Sequence, residues 1–235
     1  MKQLFAIDVS HWQGKMDWRK AKTEGVDLAF IKATEGINYV DTQFKANVDG
    51  CRELGIPYVI YHFWHNYVEA DAQFANIALA HEYAMCPIAL DVETFVNNLL
   101  PTQNAKLIVD LVNGIQRNLG MLPTMYTRAS VWNTKVSRFD KWKELPLWVA
   151  NYEVSTPLLP VDWNNWMVWQ YKDNGNGLKY GAESRFIDLN YVKPEYLKYY
   201  GIGKDQEPQS EPDPHDINIT ITLDGVTYSG RVKKA

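Results

Sequence analysis

Residues 86–93 read CPIALDVE, a short apolar run, Ile88–Val92, that delivers two carboxylates, Asp91 and Glu93, at its exit. Side chains at i and i+2 share one face of a strand, so both acids point the same way, about 7 Å apart. Seven further runs of the same kind are Leu4–Val9, Leu28–Ala33, Tyr58–Phe63, Thr124–Thr127, Leu147–Ala150, Met167–Tyr171 and Phe186–Leu189. Their length and continuous apolar character suit strands buried on both faces. Helical stripes lie between several of them. Phe44, Val48 and Cys51 precede a stop at Gly55 and Pro57; Phe74, Ile77, Ala78 and His81 form a second; Ile108, Leu111, Val112, Ile115 and Leu119 form a third, starting near Thr102 and ended by Gly120. Strand–helix alternation predicts a parallel sheet with right-handed crossovers. Eight such runs before residue 203 predict closure into an α/β fold, an irregular (β/α) barrel. The later connections are short and irregular, so the helical ring is expected to be incomplete.

In such a barrel the strand exits form the rim where active sites sit. Asp8 ends the first run (LFAID), Asp188 ends the last (RFID), and Glu35 follows the second in IKATEG. Acids commonly follow strands as turn or cap residues. Recurrence on independent strands instead points to one shared pit. Like charges crowded there raise one pKa, and Glu93, expected to lie deepest, is the candidate to hold a proton. The chain has no Gly-rich phosphate loop, no GxSxG and no CxxC. His62 and His65 in YHFWH read as hydrogen-bonding partners rather than zinc ligands. A magnesium or calcium site built from carboxylates alone stays open.

Nine Trp, fourteen Tyr and eight Phe make up 13% of the chain, and all nine Trp precede residue 170. Flat rings suit the apolar faces of pyranoses. Carboxylates set among rings suit glycoside hydrolysis, in which one acid protonates the leaving oxygen and negative charge steadies an oxocarbenium-like transition state.

Composition excludes other classes. The 235 residues are 46% hydrophobic with a net charge of −4, which rules out a disordered chain and gives no electrostatic case for nucleic acid. No apolar stretch approaches the roughly 18–20 residues of a membrane span, so stable membrane insertion is not expected. The opening MKQLFAIDVSHW carries one lysine and too short an apolar run for a signal peptide. Cys51 and Cys86 make neither a disulfide framework nor a metal site and read as reduced, buried thiols.

The domain reading is a catalytic barrel over 1–203, an acidic, Pro-rich linker over 204–216 (KDQEPQSEPDPHD follows Gly203) and a small C-terminal β-hairpin over 217–235. INITITLDGVTYSGRV alternates strictly about Asp224-Gly225, pairing Leu223 with Val226 and Ile217 with Val232. A lone hairpin with an apolar face must dock on its own barrel, on a wall ligand, or on other copies. Self-association into a homo-oligomer through residues 217–233 is the favoured expectation.

DVSHWQG at 8–14, KATEG at 32–36, GIPYVIYHF at 55–63, ALDVE at 89–93, WVANY at 148–152, WQY at 169–171 and IDLN at 187–190 together resemble the family 25 glycoside hydrolases. These are lysozymes of the N-acetylmuramidase type, common as bacteriophage endolysins. The resemblance implies an irregular β/α barrel, without a cofactor, whose partner is bacterial peptidoglycan, cleaved at the β-1,4 bond between N-acetylmuramic acid and N-acetylglucosamine. It assigns Glu93 as general acid, Asp91 as the partner that stabilises the transition state or orients the substrate acetamido group, and Asp8 and Asp188 as supporting acids. Candidate substrate-binding residues are Glu35, Tyr61, His62, Trp64, Tyr126, Trp148 and Gln170. Trp169 reads as packing. A chitinase of family 18 would show DxxDxDxE on this strand, but Cys86 and Ala89 replace its first two acids. A non-catalytic glycan-binding module on the same barrel would normally lose the acid at 93, which this chain keeps. The resemblance also implies a protein held in the host bacterial cytoplasm that reaches the wall once the membrane is permeabilised.

Overall fold

The computed structural model describes residues 3–96 and 98–202, together with the backbone of 217–223 and 226–232. Eight strands close into a barrel: β1 (Leu4–Val9), β2 (Leu28–Glu35), β4 (Tyr58–Phe63), β5 (Ile88–Asp91), β6 (Thr124–Thr127), β7 (Leu147–Ala150), β8 (Val168–Asn176) and β9 (Phe186–Val192). The two-residue β3 (Tyr39–Val40) only borders β2, and the β1–β2 pairing completes the ring. All eight apolar runs of the sequence became barrel strands.

Five helices lie along the outside: α1 (Trp18–Thr23), α2 (Phe44–Leu54), α3 (Ala70–Ala84), α4 (Pro101–Leu119) and α5 (Ala129–Lys135). In α4, Ile108, Leu111, Val112 and Ile115 form the buried stripe, and Gly120 stops the helix at φ +70°. In α3 the buried face is turned from the one expected. Gln73, Asn76, Ile77 and Ala80 are buried, while Phe74, Ala78 and His81 are half-buried. The amides face inward because they bond the loops above the barrel: Gln73 to His62 and His65, and Asn76 to the carbonyls of Gly36 and Tyr39. No helix follows β7 or β8, so the ring is incomplete on that side. The last helix, α6 (Pro194–Tyr200), puts Tyr196 inside the barrel, where its hydroxyl lies 2.9 Å from Thr124 Oγ1.

One expectation fails. The sheet is not wholly parallel, because β9 runs antiparallel to both β8 and β1. Only residues 177–185 join β8 to β9, and a parallel return needs a crossover of a dozen residues or more. Asp188 therefore lies near the start of its strand rather than at an exit. Reversed direction brings it to the same rim, with its Cα paired to that of Asp8.

The chain divides into two compact units, Met1–Ile202 and Gly203–Ala235. In the second unit β10 (Ile217–Leu223) pairs antiparallel with β11 (Val226–Val232), joining Leu223 to Val226 and Ile217 to Val232. The linker 204–216 and the turn Asp224-Gly225 lie outside the described residues. Among the described residues, no helix is long and apolar enough to cross a membrane, and Cys51 and Cys86 are both free and buried.

The β8–β9 connection leans on Gly181, which holds φ +88° while its carbonyl accepts a 2.7 Å hydrogen bond from the Asp17 amide. A Cβ there would collide with the Asp17 carbonyl. Gly181→Ala should lower the stability of the barrel by more than about 1 kcal/mol in denaturant unfolding, from the left-handed backbone and the clash together.

Candidate active site

Strand parity builds the site. On β5, Leu90 and Val92 pack outward under the helices, whereas Ala89 faces the barrel interior, with Asp91 and then Glu93 above it. The same alternation turns inward Asp8 on β1, Lys32 on β2, Tyr61 and Phe63 on β4, Tyr126 on β6, Trp148 on β7, Gln170 on β8 and Asp188 on β9. Together they line a cleft of about 200 Å³, with Ser10, Trp12 and Gln13 of the turn after β1 on its wall. Below it the interior is apolar, filled by Leu28, Phe30, Val59, Val168 and Val192.

Two amides order the floor. Tyr126 Oη (2.8 Å) and Tyr152 Oη (2.7 Å) both donate to Gln170 Oε1, so its amino group must face the acids, 3.0 Å from Asp8 Oδ2 and 3.3 Å from Asp188 Oδ2. Trp148 Nε1 donates to Asn190 Oδ1 at 2.7 Å, which turns the Asn190 amino group onto Asp8 Oδ2, also at 2.7 Å. Asp8 thus receives two oriented donors, as an ionised carboxylate requires.

Burial is the leading cause of a raised pKa at all four acids. At Asp8 the bonds from Asn190 and Gln170 oppose it. At Asp188 the charge of Asp8 adds to it and the carboxyl is pushed up to about 10. Asp91 lies well above the usual carboxylate range, through burial and then the charge of Glu93, and its buried Oδ1 has no hydrogen-bond partner. Glu93 is raised by burial, against the pull of Arg128, whose Nη2 is 3.2 Å from Glu93 Oε2. Lys32 is the second cation. It is buried, pairs with Glu35 at 2.8 Å and sits 4.8 Å from the centre of the Phe63 ring. Four acids facing two cations cannot all ionise cheaply, so protons stay in the pit.

Several candidates stand elsewhere than expected. Asp91, at 8% exposure, lies deeper than half-buried Glu93, because Glu93 has already left the strand. His62 and Trp64 have the wrong parity and point away from the cleft. His62 is bonded to Thr34 and Gln73, and burial lowers its pKa to about 4; Trp64 is fully buried in the outer core against Phe95. Glu35 sits on the rim, bonded to Lys32 and to His65 at 3.0 Å, and reaches the pit only through Lys32. Tyr61, Tyr126, Trp148 and Gln170 do line the cleft. Trp148 is nevertheless 2% exposed and stacked on Phe30, so neither it nor Tyr126 offers a free ring face. Lys32, Arg128, Asn190, Tyr152 and Trp12 were missed. Lys32, Trp12, Tyr152 and Asn190 stand inside the motifs KATEG, DVSHWQG, WVANY and IDLN, but Arg128 is marked only by its position after β6.

A family model for glycosyl hydrolases family 25 matches residues 7–178, which run from within β1 to just past the end of β8. The chain belongs to glycosyl hydrolases family 25. It is 34% identical over 196 residues to Lysozyme M1 of Streptomyces globisporus, covering 78% of this chain and 66% of that one. It is 31% identical over 179 residues to the YegX protein of Escherichia coli strain K12, covering 73% and 64%. The chain thus spans just under two thirds of the length of both. The crystal structure of the bacterial lysozyme from Streptomyces coelicolor superposes with a TM-score of 0.76 at 29% identity, over 86% of this chain and 97% of that one. The closed eight-stranded barrel is therefore a family 25 barrel.

The acid pair of this family 25 chain has a consequence for stability. The unfolded chain releases the Asp188 proton near pH 4, while the folded protein holds it to about 10. Between those values the folded state binds the extra proton, so this group lowers stability as pH rises. Asp188→Asn should raise the thermal midpoint at pH 7 and lose that advantage towards pH 4; an equal gain at both pH values would refute the shared-proton account.

Proposed function

We propose that this chain is a peptidoglycan hydrolase that cleaves the β-1,4 bond between N-acetylmuramic acid and N-acetylglucosamine. The carrying observation is the adjacent pair Asp91 and Glu93 at the mouth of a buried acid cluster, both with raised pKa values. Glu93, the more accessible of the two, donates its proton to the leaving glycosidic oxygen. The unpartnered Oδ1 of Asp91 accepts the acetamido N–H, and the acetamido oxygen then attacks the anomeric carbon. Asp91 balances the oxazolinium charge that results. Water opens that ring from the opposite side and returns a proton to the Glu93 carboxylate, so the enzyme is restored. Asp8 supplies fixed negative charge from the floor, while Asp188 stays neutral beside it.

The finer role we propose is that of a bacteriophage endolysin, held in the host cytoplasm and released onto the wall. We propose further that residues 217–233 join copies of the chain. The apolar alternation of INITITL and VTYSGRV supports this, since one face of the β10–β11 pair then needs cover.

Glu93→Gln should cut the release of reducing ends from purified wall at least about a hundredfold while wall binding persists. Undiminished release would remove Glu93 from the acid's role, and a wild-type chain that binds wall without releasing muramic-acid reducing ends would be a glycan-binding module. Chelator should leave the rate unchanged. Light scattering should give an oligomer for the full chain and a monomer for a chain ending at Gly203; equal association states would refute the hairpin assignment.

A further inference from the structure

Of the rings that line the cleft, Trp12 is 75% exposed, whereas Tyr126 and Trp148 are 6% and 2% exposed. A large apolar side chain left in water is normally a mobile one. This one is carried on a rigid turn. Ser10 caps the turn by accepting from the Trp12 amide at 3.2 Å, and Gln13 Oε1 accepts from the Ser10 amide at 2.9 Å. Gly14, at φ +68°, closes it by donating to the His11 carbonyl. The amides of Glu183 and Ser184 both donate to the Gln13 carbonyl, which ties the turn to the β8–β9 connection. Behind the indole, the His11 ring lies 4.7 Å away and tilted by 36°. His11 is fixed in turn by Asp41, a buried carboxylate that takes both the His11 amide (3.0 Å) and its Nδ1 (2.7 Å).

We propose that Trp12 is a stacking platform for a pyranose next to the one held at Glu93, with His11 and Asp41 as its positioning residues. This rests on the glycoside hydrolase reading. The free indole face offers an apolar plane beside a polar pit, the surface that a sugar's C–H face seeks. Because the turn is already ordered, little conformational entropy is lost when the sugar lands. The platform adds an extended-chain requirement: a fragment confined to the pit does not touch it, and a longer one does.

The test measures binding in the Glu93→Gln background, which leaves the glycan intact, using N-acetylmuramic acid alone and a soluble four-sugar fragment of alternating N-acetylglucosamine and N-acetylmuramic acid. Trp12→Ala should weaken binding of the four-sugar fragment about tenfold. Trp12→Phe should weaken it less, and the single sugar should bind within about twofold throughout. Asp41→Asn should fall between wild type and Trp12→Ala. In the otherwise wild-type enzyme, Trp12→Ala should raise KM with kcat largely kept. Unchanged four-sugar affinity, equal losses for both fragments, or a fall in thermal midpoint that accounts for the loss would overturn the platform. Failure of the wild-type chain to release reducing ends would instead overturn the reading on which it rests, so the two failures are distinguishable.

Discussion

The antiparallel pairing of β1 with β9 is the constraint on which the site depends. It places Asp8 opposite Asp188 at the one point where the chain's first and last barrel strands meet. Had β9 run parallel to its neighbours, its acid end would have faced the apolar floor where Tyr196 packs. The short 177–185 connection forbids that arrangement, because it is too short for a crossover. Barrel closure and acid clustering are thus the same event. The charge repulsion of the pair is balanced by Gln170 and Asn190, whose amino groups are turned towards Asp8 by Tyr126, Tyr152 and Trp148. Tyr126 and Trp148 are buried and Tyr152 is half-buried, which makes the orientation of the amides largely a property of the core.

Most of the architecture could be read in the sequence because the strands are short, continuously apolar and separated by amphipathic stretches. All eight were located that way. Acids at run exits also disclosed the pit. What stayed hidden is governed by chain direction and by parity. Nothing in PheIleAspLeu at 186–189 records which way the strand runs, so Asp188 read as an exit although it begins β9. Every residue of YHFWH carries an aromatic or imidazole ring, but alternation sends only Tyr61 and Phe63 inward. His62 and Trp64 go to the helix side, where α3 had already turned Gln73 inward to meet the imidazole. Arg128 escaped notice because a single cation carries no periodic signal, and Asn190, though it closes the IDLN motif, gains its role only from three-dimensional proximity to Asp8.

The division of labour proposed for Asp91 and Glu93 rests on burial more than on residue type. Asp91 ends its strand inside the barrel, and its buried Oδ1 meets no protein donor. Glu93 has left the strand, reaches solvent and meets Arg128. A group that must give up and regain a proton each cycle needs access to water, and a group that must orient a substrate amide needs a fixed position. The longer side chain of glutamate, two residues further out, meets the first need. The shorter aspartate meets the second.

Charge in the pit also sets how the enzyme can respond to substrate. Arg128 and Lys32 hold Glu93 and Glu35, and one member of each pair, Glu93 and Lys32, lines the cleft from which a sugar would displace water. Removing that water strengthens every remaining Coulomb interaction, since screening falls with the local dielectric. Repulsion between Glu93 and the acids behind it then grows, and so does attraction to Arg128. Whether the acid keeps its proton in the complex is decided by that competition. Arg128, at 44% side-chain exposure, retains solvent of its own and gains less from a closed cleft than the buried carboxylates lose. Filling the groove therefore favours protonated Glu93, the form that the proposed hydrolysis requires.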